Sequence, residues 1–406
     1  MTVDSNKRLK IAYLCDFDPR DPTLYSGGNA QMLEALQTHA GDVTVLPQDW
    51  GLAEPLRRAV LAMPEAISIR ARFRFHLIAS RIIALRVRKA LAQDQFDVLF
   101  GAYSFHSLHR VRPPYTLVTA FSSDATPTTY RNSEIGQSFG SWLKVSRLFD
   151  PLIERAEARV FRNLDLALWP SDWLTGAIAD RYGLSSDRSL TLPWGANVPD
   201  PGPVTHPESL RPDRPVNILL VGRDWTAKGG WVTAATVTAL REQGIEARLT
   251  VIGCTPPSEI KTDALTVYPH LDKTIPEDLA IFQDCFRRAH FLLMPSMESY
   301  GFAFCEASAF GLPSLCLDVG GVPVWNGLNG HALPPGSGPD QFAEVIKGYF
   351  KQPETHAALR VSARQVYEEQ LNWDAWGRKA AQLLQVEVDA IKDPTQKDKP
   401  CSRSTE

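Results

Sequence analysis

The segment 290–331 constrains the fold of this chain more than any other stretch. It holds an apolar run at 291–294, a polar loop, a segment rich in alanine and aromatic residues at 302–310, and a second apolar run at 314–319. A short apolar run bounded by turn residues is typical of a buried strand, and Gly311 and Pro313 follow the middle segment as they follow helices. The segment therefore predicts a strand–loop–helix–strand unit of an α/β sheet, whose ligands bind at the carboxyl ends of the strands.

Two glutamates stand at that predicted edge, with seven residues between them. Glu298 lies in the loop, and Glu306 lies about one turn into the helix among aromatic neighbours. A carboxylate pair facing a pocket accepts hydrogen bonds from ligand hydroxyls or stabilises positive charge. The alternative is that Glu306 has no ligand and stands there because the helix macrodipole favours a carboxylate near the start of a helix.

The residues around this pair carry a resemblance to a known family. Pro295-Ser296 precedes the E-x7-E pattern, and Glu306-Ala307 is followed by G-x-P after three residues. This arrangement resembles the retaining glycosyltransferases of the GT-B fold, in particular family 4. The resemblance implies two Rossmann-like α/β domains facing a central cleft, with a C-terminal helix crossing back to the N-terminal domain. It also implies that Glu306 holds the ribose of a sugar nucleotide and that Glu298 lies near the transferred sugar.

A basic loop follows the predicted strand 216–221. Arg223 and Lys228 stand in Gly222-Arg223-x4-Lys228-Gly229. Arginine and lysine near a helix start can hold a diphosphate, although two basic loop residues are more often simply solvated. The loop matches the GR-x4-KG element of the family, in which these two residues grip the donor diphosphate. Leu271, within 269–273, stands where the family places its nucleobase-contacting loop.

Two departures from the family pattern concern the donor sugar. Ser299 replaces a glycine that often follows the first glutamate, and Val324-Trp325 replaces an acid that often follows the proline of the GG-[IV]-P turn. Both departures bear on donor-sugar specificity more than on activity.

The N-terminal half offers a glycine-rich loop between a predicted strand at 10–15 and a helix from Ala30. The loop contains Ser26-Gly27-Gly28, and backbone N–H groups at such a helix start suit a phosphate. A plain tight turn is the alternative for Gly28. The resemblance places this loop opposite the donor phosphates.

Three polar residues follow later strands of the same half. His106 follows the predicted strand 96–100, where it could touch the sugar or the acceptor, and a structural histidine is the alternative. His109 is a second candidate for this role. Asp124 follows the predicted strand 115–120 and is either an acceptor-site base or a helix cap.

The stretch 57–89 is basic and amphipathic. It contains eight arginines and one lysine against the single acid Glu65, with apolar residues at roughly helical spacing. Such a helix can lie on an anionic membrane surface, or it can be a domain helix with a solvated basic face.

Composition narrows the class of protein. The chain has 406 residues and a net charge of −3, which does not favour nucleic-acid binding. The six cysteines form no CxxC pair, as expected of reduced thiols, and no apolar run has the length of a signal core or a membrane span. We therefore expect a cytoplasmic protein, with peripheral contact at the inner membrane surface as an alternative.

These observations predict a domain order and an activity. We expect an acceptor-side domain at 1–198, a proline-rich linker at 199–215, a nucleotide-sugar-binding domain at 216–372, a returning helix at 373–392 and a disordered tail at 393–406. The expected reaction is transfer of a sugar from a UDP- or GDP-sugar to a glycan or lipid-linked acceptor in glycan, glycolipid or cell-surface polysaccharide biosynthesis. The resemblance implies retention of configuration and no essential metal. The alternatives are a sugar-nucleotide epimerase or hydrolase, and a silent sugar-nucleotide-binding protein.

Overall fold

The computed structural model describes residues 8–22, 24–47, 50–62, 65–137, 150–203, 210–260 and 263–392. These residues divide into two compact units. Unit 1 holds the described residues within Met1–Asn132, Phe139–Leu192 and Trp376–Glu406, and unit 2 holds those within Ser133–Ser138 and Pro193–Ala375. Each unit is built around one parallel sheet.

The sheet of unit 1 has six described strands in the order β2-β1-β3-β4-β5-β6, all paired in parallel. The strands are β1 Leu9–Leu14, β2 Gly41–Val45, β3 Val98–Ala102, β4 Val118–Ser122, β5 Leu166–Trp169 and β6 Ser189–Thr191. The described helices up to the end of this sheet are α1 Gly28–His39, α2 Glu54–Leu61, α3 Glu65–Leu91, α4 Phe105–Leu108, α5 Pro127–Asn132, α6 Glu134–Gln137 (a unit 2 segment), α7 Asp150–Arg162 and α8 Asp172–Tyr182. The central strand β3 is buried at every position, because helices cover both faces of such a sheet.

The sheet of unit 2 repeats this plan with the described strands in the order β12-β11-β10-β7-β8-β9. The strands are β7 Val216–Val221, β8 Ala247–Ile252, β9 Leu265–Tyr268, β10 Phe291–Leu293, β11 Ser314–Leu317 and β12 Gly330–Leu333. The remaining helices are α9 Gly230–Glu242, α10 Pro276–Arg288, α11 Phe302–Ala309, α12 Pro339–Lys351, α13 Pro353–Glu369 and α14 Trp373–Lys392. The pairs are again parallel, so the loops after β7, β9 and β10 leave the sheet at one edge.

The last helix divides between the units. α14 begins at Trp373 within unit 2, and its residues from Trp376 onward belong to unit 1. Trp376 is fully buried and meets Phe100 of β3 edge to face, and the Lys392 ammonium donates to Asp97 at 2.7 Å. The fold predicted from the resemblance, with two parallel α/β sheets and a C-terminal helix that returns to the first, is confirmed.

Several predicted boundaries move and one strand was missed. The predicted strand 115–120 begins only at Val118, the predicted strand 190–194 ends at Thr191, and β12 was not predicted. β12 has alternating half-buried residues and lies at the sheet edge, so its apolar signal is weak. The predicted tail 393–406 and positions 204–209 of the predicted linker lie outside the described residues.

Candidate active site

A lysine and a glutamate meet at the carboxyl edge of the unit 2 sheet. Lys228 follows β7, Glu298 follows β10, and these strands are neighbours in the sheet. The Lys228 ammonium donates a hydrogen bond to Glu298 Oε1, and the Ser296 hydroxyl donates to the same oxygen at 2.8 Å. An ammonium has three N–H donors, so Lys228 keeps donors for a ligand while it holds the carboxylate.

Two glycines make this contact geometrically possible. A Cβ on Gly222 would lie 2.2 Å from Cγ of Lys228, so a side chain there would push the lysine away. Gly320, after β11, has φ +60°, and a Cβ on it would lie 2.2 Å from the carbonyl oxygen of Glu298. The turn at Gly320 therefore supports the loop that presents Glu298, and the Gly321 N–H donates to Ser299 O at 3.0 Å.

Glu306 forms the second ion pair of this edge. Its side chain is only 5% exposed, and its Oε1 accepts a hydrogen bond from the Lys273 ammonium at 2.6 Å. Lys273 also lies 3.3 Å from the Asn197 carbonyl oxygen and 5.0 Å from the centre of the Phe282 ring. A buried carboxylate needs a counter-charge, and Lys273 supplies it. A favourable position at the start of a helix is therefore not the only interaction that stabilises Glu306.

The other two predicted donor-site residues occupy loops of the same edge. Arg223 is exposed directly after β7 and makes no ion pair with any described residue. Leu271 is half-buried in the loop after β9, two residues before Lys273. The structure thus brings Lys228 and Glu298 together and pairs Glu306 with a lysine from the loop predicted to contact a base.

In unit 1 the glycine-rich loop adopts an unusual backbone. Tyr25, Ser26 and Gly27 all have positive φ, and α1 begins at Gly28, which is buried. Non-glycine residues rarely adopt this conformation, and such positions cluster at functional sites. The Tyr25 hydroxyl donates to Asp16 Oδ1 at 2.8 Å, which anchors the loop to the end of β1.

Two tyrosines and two aspartates continue along the same edge. The Tyr25 and Tyr103 rings stack with centres 4.1 Å apart, and Tyr103 itself has φ +60°. Burial raises the pKa of both phenols, and the neighbouring carboxylate adds to the rise: Asp16 for Tyr25 and Asp124 for Tyr103. Both tyrosines are therefore neutral hydrogen-bonding groups at physiological pH.

His106 lies in this cluster and His109 does not. His106 is buried on α4, with Nε2 at 3.6 Å from Asp16 Oδ2. Burial, followed by the charges of Arg110 and Arg159, lowers the pKa of His109 to about 4, so His109 is neutral at pH 7.

Asp124 is half-buried after β4. The sequence left open whether Asp124 is an acceptor-site base or the cap of the following helix. The hydroxyl of Thr126 accepts the Thr129 N–H at 3.2 Å at the start of α5, so Thr126 provides a cap there. The Asp124 carboxylate adds to the rise that burial causes in the pKa of the Tyr103 phenol.

Sequence reasoning missed four polar residues of these two edges: Asp16, Tyr25, Tyr103 and Lys273. Asp16 stands directly after the predicted strand 10–15 and Tyr103 three residues after the predicted strand 96–100, which was a usable signal. Tyr25 and Lys273 gave no such signal, because their partners depend on loop conformation and strand order.

Two parallel six-stranded sheets, each with polar loops at its carboxyl edge, make the fold of the GT-B glycosyltransferases. Sucrose-phosphate synthase from Thermosynechococcus elongatus has this fold with a TM-score of 0.64 and 18% identity, over 95% of this chain and all of that one. Residues 215–352, which carry Lys228, Glu298 and Glu306, match the family described as glycosyl transferases group 1.

Curated relatives share parts of the sequence. A D-inositol 3-phosphate glycosyltransferase of Streptomyces scabiei is 35% identical over 103 residues, which is 25% of this chain and 23% of that protein. One from Pseudarthrobacter chlorophenolicus is 26% identical over 314 residues, which is 73% of this chain and 67% of that protein. The chain thus spans less than a quarter of the first relative and about two thirds of the second.

Proposed function

We propose that this protein transfers a sugar from a nucleotide-sugar to an acceptor hydroxyl, with retention of the anomeric configuration, as a family 4 glycosyltransferase. The observation that carries the proposal is the pair of lysine–glutamate contacts at one sheet edge, inside the segment that matches glycosyl transferases group 1. One pair supplies a cation for a diphosphate and a carboxylate for a sugar, and the other supplies a carboxylate for ribose hydroxyls.

In this proposal the donor binds at the unit 2 edge. Lys228 and the exposed Arg223 neutralise the diphosphate, on which negative charge grows as the glycosidic bond breaks. Glu298 faces the transferred sugar. Glu306 accepts hydrogen bonds from the ribose through Oε2 while Lys273 holds Oε1. Because two protein cations serve the leaving group, we propose that transfer needs no metal ion.

The acceptor binds at the carboxyl edge of the unit 1 sheet. His106, held near Asp16, and Asp124, near Tyr103, are the groups that contact the acceptor or the sugar. The neutral phenols of Tyr25 and Tyr103 add hydrogen-bond donors for a polyhydroxylated molecule. We propose a glycan or lipid-linked acceptor in glycan, glycolipid or cell-surface polysaccharide synthesis. D-inositol 3-phosphate, named for the curated relatives, belongs among the acceptors to be tested.

We also propose peripheral membrane contact through the basic stretch 57–89. The described part of α3 exposes Ile78 (76%) and Leu85 (69%) beside Arg81 and Arg88, and its opposite face packs in the core of unit 1. Apolar and basic side chains on one exposed face suit an anionic lipid surface. Within the described residues, no helix has both the length and the apolar character needed to span a membrane.

A donor screen tests the proposal first. Thermal unfolding is measured with UDP, GDP and ADP and with their sugar derivatives. A nucleotide at 100 times its Kd, bound only by the folded state, adds about 2.7 kcal/mol of stability, which is a readily measured shift. We expect the nucleotides of one base to stabilise the wild type and to stabilise Glu306→Gln less at the same concentration. Absence of stabilisation by every nucleotide would contradict the proposal.

A further inference from the structure

A cavity of about 650 Å³ lies in unit 1, away from the carboxyl edge of its sheet. It is lined by Leu99 and Thr119, each the second residue of its strand, so the cavity lies toward the amino ends of β3 and β4. A volume of this size is within the usual range for small-molecule sites, about 300–1,000 Å³.

Five arginines contribute to the lining. They come from three elements: α3, the loop between α4 and β4, and α7. The arginines are Arg81, Arg88, Arg110, Arg112 and Arg159. The rest of the lining is largely apolar, and the described lining residues include no aspartate or glutamate.

None of these guanidinium groups has an ion-pair partner among the residues that the structure describes. The nearest acid in sequence, Glu157, is buried and accepts hydrogen bonds from the Thr128 N–H at 3.0 Å and from the Tyr182 hydroxyl. Burial lowers the pKa of the neighbouring His109, and the charges of Arg110 and Arg159 lower it further. Like charges gathered around a concave surface without counter-ions destabilise the folded protein, and a bound anion removes that cost.

We propose that this cavity binds a ligand that carries two or more phosphate groups. The guanidinium fork matches phosphate oxygens in bidentate geometry. One phosphate, with at most two negative charges, leaves most of the five cations uncompensated, whereas a polyphosphate compensates cations from all three elements. The ligand is either a soluble polyphosphate or the multiply phosphorylated headgroup of a lipid, and the two share this chemistry. The site is separate from the proposed donor site and does not depend on the transfer reaction.

Calorimetric titration of the full chain tests the proposal with inorganic phosphate, pyrophosphate and inositol hexakisphosphate. The cavity variant is Arg112→Gln with Arg159→Gln. The matched control is Arg155→Gln with Arg162→Gln, because both are exposed arginines of α7 outside the cavity. Both double variants are also made in a protein that carries Arg223→Ala and Lys228→Ala, so that phosphate binding at the proposed donor site does not contribute to the measured heat. A parallel arm measures sedimentation with vesicles containing phosphatidylinositol bisphosphate.

We expect a polyphosphate to bind more tightly than inorganic phosphate, and the cavity double variant to weaken that binding by at least about tenfold, with little change in the control. Binding of inositol hexakisphosphate that depends on the cavity identifies a soluble ligand. Dependence seen only with vesicles identifies a lipid headgroup. Absence of binding in both arms, or equal weakening by the cavity and control variants, would overturn the proposal.

Discussion

At the scale of single residues, the lysines and glutamates of the proposed donor site are paired with each other in unit 2. Lys228 and Glu298 hold each other after neighbouring strands, and Lys273 holds the buried Glu306. Preorganised charges stabilise a transition state because they need no rearrangement during the reaction. We therefore expect substitutions in the Lys228–Glu298 pair to affect turnover, and substitutions in the Lys273–Glu306 pair to affect donor binding.

Lys228→Ala removes a cation from the leaving diphosphate. We expect kcat to fall about 10²–10³-fold at saturating donor, and Arg223→Ala to act in the same direction, because such contacts strengthen as charge develops. The control is Lys347→Ala, which removes a lysine paired with Glu344 on α12. Steady-state kinetics on folded variants measures the effect. Near-wild-type turnover of both Arg223→Ala and Lys228→Ala would place the diphosphate elsewhere.

Glu306→Gln keeps the shape of the side chain but removes its charge. Hydrogen bonds to charged groups contribute about 1.5–3 kcal/mol, so we expect the donor KM to rise roughly 10–100-fold with a smaller change in kcat. Glu344→Gln, at a carboxylate that is 61% exposed, is the control. An unchanged donor KM in Glu306→Gln would remove Glu306 from the ribose site.

Part of the proposed donor site could be predicted from the types of residue and their spacing in the sequence. Lys228, Glu298 and Glu306 were recognisable because they stand at fixed spacings beside strands. Asp16 and Lys273 were missed, since their roles depend on contacts with residues 90 and 33 positions away, His106 and Glu306. Spacing along the chain carries no information about such partners until the strand order is known.

At the scale of elements, glycine turns position the loops that carry the charges. Gly320→Ala introduces a methyl group 2.2 Å from the carbonyl oxygen of Glu298, at φ +60°. We expect the Glu298 loop to shift and kcat to fall while the fold remains intact, because small displacements of reacting groups cost large factors in rate.

Gly336→Ala is the matched control for that substitution. Gly336 also has positive φ, +87°, but a Cβ there meets nothing within 4 Å. Backbone strain is thus common to both variants, and only Gly320→Ala adds the clash with Glu298. Circular dichroism and kinetics on both proteins separate the two effects. Equal losses of activity would mean that the turn matters only through stability.

Substitutions on the exposed face of helix α3 test the proposed membrane contact. Ile78→Ser with Leu85→Ser removes two exposed apolar side chains beside Arg81 and Arg88. We expect wild-type binding to anionic vesicles that weakens with salt, and weaker binding in this double variant. The control is Leu152→Ser with Val361→Ser, two apolar residues exposed on other helices. If the wild type did not sediment with anionic vesicles at low salt, the membrane proposal would be wrong, and α3 would be a domain helix with a solvated basic face.

The elements themselves were largely predictable, and their ends were not. Buried strands such as β3 and β10 gave continuous apolar runs that the sequence displays directly. β12 was missed because an edge strand with alternating exposure has a weak pattern. The basic stretch 57–89 showed helical spacing throughout, but the spacing did not indicate that it is divided between α2 and the 27-residue α3.

At the scale of the whole molecule, the chain builds two separate sheets of one plan and assigns them different chemistry. Unit 2 presents lysines paired with glutamates, which suit a nucleotide-sugar. Unit 1 presents a histidine, aspartates and neutral tyrosines, which suit a polyhydroxylated acceptor. The proposed acceptor groups of unit 1 are what distinguishes sugar transfer from nucleotide binding alone.

The release of nucleoside diphosphate with and without acceptor tests this account most directly. The donor identified by thermal shift is incubated with the protein and a mixture of glycan, lipid-linked and inositol phosphate acceptors, and the products are resolved by mass spectrometry and NMR. We predict that release depends on acceptor, that each diphosphate released corresponds to one new glycoside, that the anomeric configuration is retained, and that EDTA leaves the rate unchanged. Equal release in the absence of acceptor, or binding of the donor with no turnover, would contradict the account.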